Sequence, residues 1–257
     1  MSDHSFDGLS EKFAQNIYAT SKGKIRTAVV WRDLEQGLAR FGDQRLRILD
    51  AGGGFGFFAQ KLAALGHDVT LCDLSADMLA LAKEQIAEKG LTDRIHLVHC
   101  SIQDLPEHVD GTFDFVLCHA VVEWLADPKE TLVGLLHYLK AGGLFSLLFY
   151  NRDALLFQSL VVGNFDYIRA GLVKKRQQKL TPTNPQTPAD VYQWLAEWQM
   201  PLLCRSGVRV IHDYMRHKDD QYKKFADLLE TELRYCQQEP FVHLGRYMHV
   251  LASKPCQ

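Results

Sequence analysis

Leu49-Asp50-Ala51-Gly52-Gly53-Gly54-Phe55-Gly56 is the stretch on which the reading of this chain turns. An apolar run from Arg47 to Ala51 ends in three glycines, and helical spacing resumes at Phe57 and stops at Gly66. Strand, glycine turn and helix in that order place the turn at the carboxyl edge of a parallel sheet, where open α/β sheets bind ligands. Glycine lets the backbone turn tightly there and lets a ligand come close to the amides.

Outward from this turn, strand and helix patterns alternate. Strands are expected at 68–73, 95–100, 113–119 and 144–149. Ser75 is placed to cap a helix that runs to Lys89, with Gly90 after its end. Asp127, Pro128 and Glu130 have the spacing of a capping box with proline at the first helical position, and that helix should end at 140–143. Apolar residues at helical spacing predict helix over 10–40, with a break at Ser21-Lys22-Gly23. After Tyr150 the alternation stops. Helix is expected at 155–162 and 188–198, loop around Thr181-Pro182-Thr183-Asn184-Pro185, and strand at 202–212 interrupted by Gly207. One charged amphipathic helix over 219–239 and a last strand over 245–252 complete the chain. The expected fold is Rossmann-like α/β: a mostly parallel seven-stranded sheet, helices on both faces and an N-terminal helical cap. The 257 residues suit one domain, with a cap at 1–43, a ligand-binding core at 44–150, a basic insertion at 151–200, and strands and a helix at 201–257 completing the sheet.

Composition is that of an ordinary globular chain, 47% hydrophobic and 23% charged, with a net charge of −2. The charge is uneven. Residues 1–165 hold 15 Lys/Arg against 21 Asp/Glu, whereas 166–257 hold 14 against 10, so the back half is the side suited to an anionic partner. The six cysteines include no C-x-x-C pair and several lie in apolar runs, which points to reduced thiols and a cytoplasmic setting. The chain starts with polar residues, so no signal peptide is expected, and no apolar run is long enough for a membrane span.

Spacing alone leaves a dinucleotide site open. A G-x-G-x-x-G count from Gly52 meets Phe57 at its third glycine, but a count from Gly54 reaches Ala59, a permitted variant. Asp50 argues against a pyrophosphate, which it would repel. At the end of the second strand, Asp73 is placed to accept both hydroxyls of a ribose. Ser101, Ile102 and Gln103 follow the third strand with polar groups suited to an adenine amine, and His119 ends the fourth. Acid and glycine loop, ribose acid, polar segment and the Gly142-Gly143 turn stand in the order that resembles class I S-adenosylmethionine (SAM)-dependent methyltransferases, over about residues 44–150.

Outside that core the chain resembles a narrower family, the bacterial tRNA 5-carboxymethoxyuridine methyltransferases. The segments are Asn16-Ile17-Tyr18, Lys22-Gly23-Lys24-Ile25-Arg26, His119-Ala120-Val121-Val122-Glu123-Trp124, Phe149-Tyr150-Asn151, Gly163-Asn164-Phe165-Asp166-Tyr167, Gly207–Tyr214 and Leu244-Gly245-Arg246-Tyr247. The resemblance implies methylation of the carboxylate of a modified wobble uridine to its methyl ester, with the tRNA anticodon stem-loop as partner. It implies Arg26, Gly52, Gly53, Asp73, Ile102 and His119 in the SAM site, to which Asp50, Gly54, Ser101 and Gln103 are added from their positions. Phe55 departs from the polar or acidic residue expected there. The alternatives are a methyltransferase of small carboxylates or hydroxyls and a SAM-binding protein without turnover.

A carboxylate is ionised at neutral pH, with a pKa of about 4, so its methylation calls for in-line positioning and no general base. Arg26 suits the cofactor's own carboxylate. Tyr150, Asn151, Arg152, Arg209 and His212 are candidates to orient the acceptor. Lys174, Lys175, Arg176, Lys179, Arg205 and Arg216 are candidates for phosphate contacts. His212, Asp213 and His217 lack a full ligand set, so no metal is expected. The oligomeric state stays open.

Overall fold

The computed structural model describes residues 20–173 and 182–256. The strands are β1 (Arg47–Ala51), β2 (Asp68–Asp73), β3 (Ile95–His99), β4 (Phe113–His119), β5 (Leu139–Tyr150), β6 (Leu202–Val208) and β7 (Tyr247–Ser253). They form one sheet in the order β3-β2-β1-β4-β5-β7-β6. β1 to β5 pair in parallel, while β7 runs antiparallel to both neighbours, β5 and β6. The chain winds outward from β1 to β3, then returns to lay β4 on the other side of β1. The crevice of such a sheet lies at that reversal, over the carboxyl ends of β1 and β4. Because β7 is antiparallel, its first residue, Tyr247, lies at this same edge, opposite Tyr150 of β5 and Val208 of β6.

The central strands are covered on both faces, which is why they read as unbroken apolar runs. Ile48, Phe115 and Leu117 pack on one face, with helix α1 (Ser21–Leu38), α2 (Phe57–Ala64) and α3 (Ala76–Glu88). Leu49, Val116 and Cys118 pack on the other, with α4 (Leu105–His108), α5 (Pro128–His137) and, beyond α6 (Arg152–Val161) and α7 (Phe165–Arg169), α8 (Pro188–Glu197).

The local signals hold where the physics is local. Ser75 Oγ accepts from Met78 N–H at 3.3 Å, and the Asp127 carboxylate accepts from Glu130 N–H at 3.2 Å. Three expectations change. Ser21-Lys22-Gly23 is the first turn of α1 and not a break, because the Thr20 side chain caps it by accepting from Gly23 N–H at 3.2 Å. Residues 10–19 lie outside the described residues. The Gly142-Gly143 turn falls inside β5, since Gly142 N–H donates to the Lys254 carbonyl and Lys254 N–H to the Gly143 carbonyl just beyond β7. The helix expected over 219–239 is two, α9 (Asp220–Lys223) and α10 (Phe225–Tyr235), separated at Lys224. No glycine or proline marks that break. Gln221 is drawn into the interior there, donating to the His212 carbonyl at 2.7 Å.

Candidate active site

The glycine loop closes on its own protein. Gly52 and Gly53 N–H both donate to the Cys72 carbonyl, at 2.9 and 3.2 Å, and Gly54 N–H donates to Asp73 Oδ2 at 2.7 Å. Those three amides are therefore occupied by the protein itself and hold the loop against β2. A Cβ at Gly53 would stand 2.5 Å from Asp50 Cγ, and one at Gly52 2.6 Å from Val121 Cγ2. Gly52 also has a φ of +72°, a region that favours glycine.

Asp50 lies beneath this loop, 2% exposed, accepting from the N–H of Ala59 in α2. Burial, with the charge of Asp73, pushes its pKa up to about 7. Asp73 is fixed at both oxygens, Oδ2 by Gly54 and Oδ1 by Ser75 N–H at 2.8 Å. A carboxylate offers four lone-pair sites in all, a number that suits an acceptor of paired ligand hydroxyls. Ser101, Ile102 and Gln103 continue the same cleft beyond β3, with Leu74, Met78 and Cys100 supplying apolar walls.

Across the loop, at the β4 end, the cleft is bounded by Arg26 from α1 and by His119. All ten residues expected at the cofactor, from Arg26 and Asp50 to His119, line this one cleft. Phe55, the departure from the family pattern, packs into the wall at 7% exposure. Burial, with the charge of Arg26, drives the His119 pKa well below its usual range, so the ring is neutral. His119 Nε2 is hydrogen-bonded to Ser146 Oγ at 2.7 Å, whereas its Nδ1 is buried without a partner. A buried nitrogen left unsatisfied at a cleft wall is what a ligand would complete. The arrangement fits an amino-acid-bearing adenosine: a diol acceptor at one end, a guanidinium and an imidazole at the other.

Glu123 was not singled out from the sequence. It is fully buried, neither carboxyl oxygen makes a hydrogen bond, and its neighbours Val121 and Trp124 line the cleft. A carboxyl inside the apolar run Ala120-Val121-Val122-Glu123-Trp124-Leu125 is the signal that could have found it. Burial raises its pKa to about 8, against the opposing pull of the Glu123 and Tyr150 backbone and of Arg26. The folded state thus keeps a proton that the unfolded chain, with a carboxyl near 4.5, releases. Stability is therefore lost as pH rises through the window from about 4.5 to 8. In Glu123→Gln the pH slope of unfolding free energy should be less negative by close to one proton across that window. Urea titrations at pH 5.5 and 7.5 read it, and equal slopes in both proteins would mean that the carboxyl is not held neutral.

The acceptor candidates separate. Tyr150 and Arg152 line a second cleft together with Tyr167 and Arg246. Arg246 donates to Tyr150 Oη at 3.2 Å and to Asp213 Oδ2 at 3.1 Å. Arg209 Nη2 lies 3.4 Å from the same Asp213 oxygen, its guanidinium is 5.5 Å from the Tyr247 ring centre, and its Nε is buried without a hydrogen bond. Burial opposes ionisation of Asp213, but the His212 hydrogen bond and the two arginines hold its pKa far below the usual range. The Tyr247 ring lies 6.0 Å from Arg26 of the first cleft and 5.2 Å from the ring of Tyr150 of the second, so it packs between a residue of each. Sequence reasoning missed Arg246, Asp213 and Tyr247 as members of this cluster.

Asn151 and His212 do not reach either cleft. Asn151 is fully buried: its amide donates to the carbonyls of His243 and Gly245 at 3.0 and 2.9 Å, and its Oδ1 caps α6 at Asp153 N–H. His212 is fully buried between Ser21 Oγ at 3.0 Å and Asp213 Oδ1 at 2.8 Å. Both are fold-holding residues, and only their burial reveals it. Of the phosphate-contact candidates, Arg205 is ion-paired with Glu239 and Arg216 is exposed. Lys174, Lys175, Arg176 and Lys179 lie outside the described residues. Among the described residues no group of three His, Cys, Asp or Glu is placed to hold a metal, and no helix is long and apolar enough to cross a membrane.

A family model described as a methyltransferase domain matches residues 49–147. The chain is 49% identical over 255 residues to the tRNA 5-carboxymethoxyuridine methyltransferase of Escherichia coli K12, covering 99% of this chain and 98% of that one. It is 32% identical to a ubiquinone biosynthesis O-methyltransferase of Xanthomonas axonopodis pv. citri, over 68% of this chain and 71% of that one. Among solved structures it resembles the magnesium protoporphyrin IX methyltransferase of Synechocystis PCC 6803 with bound SAH, with a TM-score of 0.64 and 14% identity over 97% of this chain and 96% of that one. That likeness is one of fold.

Proposed function

The chain belongs to the tRNA 5-carboxymethoxyuridine methyltransferase family, and from that premise we propose that it methylates the carboxylate of 5-carboxymethoxyuridine at the tRNA wobble position, using SAM and giving the methyl ester. The observation that carries this is the reach of the identity, 255 residues, which takes in the acceptor side as well as the shared core. The reading treats residues 1–257 as one methyltransferase domain, cytoplasmic, with the anticodon stem-loop as its partner.

When bound, SAM supplies a sulfonium methyl group to a nucleophile. The protein's part is to hold and orient. Asp73 takes the ribose hydroxyls, Ser101, Ile102 and Gln103 face the adenine, and Arg26 pairs with the amino-acid carboxylate. The acceptor carboxylate has no proton to lose, so His119 is assigned to orientation and not to general-base work. Tyr150, Arg152 and Arg209, joined by Arg246, are assigned to the acceptor side. Asp213 shares the charge of Arg209 and Arg246. That sharing tempers their grip, which matters because a carboxylate held too tightly by cations is a weaker nucleophile. Lys174, Lys175, Arg176, Lys179, Arg205 and Arg216 are assigned to tRNA phosphates, which predicts salt-sensitive binding.

The test uses the purified protein, methyl-labelled SAM and tRNA prepared from cells lacking this activity. Nucleoside mass spectrometry after digestion should show the free acid converted to its labelled ester. Label on a ribose or base carbon, or transfer only to small carboxylates or phenols, would overturn the substrate assignment.

A further inference from the structure

A line of four hydrogen-bonded side chains crosses the sheet interior and ends at the cofactor cleft. Asp33 of α1 is bonded through Oδ2 to His249 Nδ1 of β7 at 2.8 Å. His249 Nε2 is bonded to Ser146 Oγ of β5 at 2.7 Å, and Ser146 Oγ to His119 Nε2 of β4 at 2.7 Å. Asp33, Ser146 and His249 are each 0% exposed. None of the first three touches the cleft, and the methyl-transfer chemistry makes no use of them.

The polarity of this line follows from what surrounds Asp33. Its Oδ1 accepts from Arg32 Nη2 at 2.6 Å, Arg32 Nε at 3.1 Å and Gln237 Nε2 at 3.2 Å. Burial works against the charge of Asp33, but the hydrogen bond from His249 and the charge of the adjacent Arg32 guanidinium outweigh it and keep the carboxyl ionised. An ionised Asp33 can only accept, so His249 Nδ1 carries a proton. Arg32 already balances the charge, so the pair asks His249 for one N–H and not for a second positive charge. His249 Nε2 is then the acceptor, Ser146 Oγ–H donates to it, and Ser146 Oγ accepts from His119 Nε2–H. His119 has its single proton on Nε2, and Nδ1 is left with a lone pair.

We propose that Asp33, His249 and Ser146 are positioning residues that fix the His119 tautomer, so that Nδ1 accepts a hydrogen bond from the α-ammonium group of the cofactor's amino-acid end. The inference rests on the SAM reading of the cleft. Sheet order supports the choice of group. Asp73 and Ser101–Gln103 lie at β2 and β3 and take the adenosine, while His119 lies across the glycine loop at β4, beside Arg26. With Arg26 on the carboxylate, the ammonium is the donor left at that end.

Asp33→Asn is the informative variant. The donors Arg32 and Gln237 hold the amide oxygen at the Oδ1 position, which turns the amide N–H toward His249. Every bond in the line then reverses, and the His119 proton moves to Nδ1. Nitrogen-15 histidine NMR of the cofactor-free protein reads this directly: Nε2–H at His119 in the parent and Nδ1–H in Asp33→Asn. Calorimetry supplies the second readout. SAM should bind about 10-fold more weakly to Asp33→Asn, while 5′-methylthioadenosine, which lacks the amino-acid end, binds with unchanged affinity. Ser146→Ala interrupts the line without touching the Arg32 pair and should show the same split, which keeps the test open should Asp33→Asn fail to fold. An unmoved proton, or equal weakening of both ligands, would overturn the relay. A parent protein that binds neither ligand would instead overturn the SAM reading.

Discussion

Asp73→Ala is expected to lower the affinity for SAM by at least about 100-fold without unfolding the protein. Hydrogen bonds to a charged group contribute about 1.5–3 kcal/mol each, and two ribose hydroxyls give about 3–6 kcal/mol, or roughly 10²–10⁴ in affinity. The loss is compounded locally. Asp73 Oδ2 is the acceptor that holds Gly54 N–H, so the third glycine of the loop loses its tie to β2. The other two ties, from Gly52 and Gly53 to the Cys72 carbonyl, are backbone bonds that the substitution leaves alone. The fold therefore survives: circular dichroism and the urea midpoint should stay near those of the parent. Asp73→Asn, which keeps one acceptor oxygen, should fall between. Calorimetry decides, and an Asp73→Ala affinity within about threefold of the parent would remove the ribose assignment.

Glu232→Ala is expected to cost about 3–6 kcal/mol of stability, the largest single-residue effect on the fold anticipated here. Glu232 is fully buried, and its carboxylate accepts from three consecutive backbone amides, Val210 at 2.8 Å, Ile211 at 3.1 Å and His212 at 2.7 Å. An alanine leaves all three donors unpaired, at about 1–3 kcal/mol for each one that stays dry. The turn it anchors begins at Arg209, whose φ of +66° is unusual for a residue with a side chain, and carries His212 and Asp213. The same substitution should therefore weaken binding of the acceptor more than binding of SAM. Glu232→Gln presents one acceptor and one donor to three donors and should recover only part of the loss. Urea denaturation measures the effect, and a cost below about 1 kcal/mol would mean that the turn stands without the carboxylate.

These two residues differ in how visible they are in the sequence. Asp73 closes an apolar strand just before a capping serine, so its place follows from neighbours one or two positions away. Glu232 lies in a run rich in charge, in a helix that reads as solvent-facing on one side, and nothing local separates it from Glu230. Its partners are 20 to 22 residues away in sequence. The relay is further removed: Ser146 and His249 are 103 positions apart, and Asp33 and His249 216. Weak signals did exist. Asp33 falls four residues after Val29, on the buried stripe of α1, and Ser146 and His249 interrupt strands that are otherwise apolar. A polar residue on a buried stripe needs a partner, but the pattern does not say which one.

By itself the sequence determined the alternation of strand and helix, the capped starts of α3 and α5, the glycine turn and the cleft residues at the strand ends from Asp50 to His119, whereas Arg26 came from the family resemblance. Those depend on backbone sterics, on capping bonds that span three residues and on which ends of parallel strands share an edge. Only the tertiary structure decided that the loop amides are already occupied, that Asn151 and His212 are buried supports, that Arg209 and Arg246 share Asp213, and that Glu123 and Glu232 are buried carboxyls. Burial and pairing across the sheet set the cost of each charge and the direction of each hydrogen bond, and both depend on which distant segments the fold brings together.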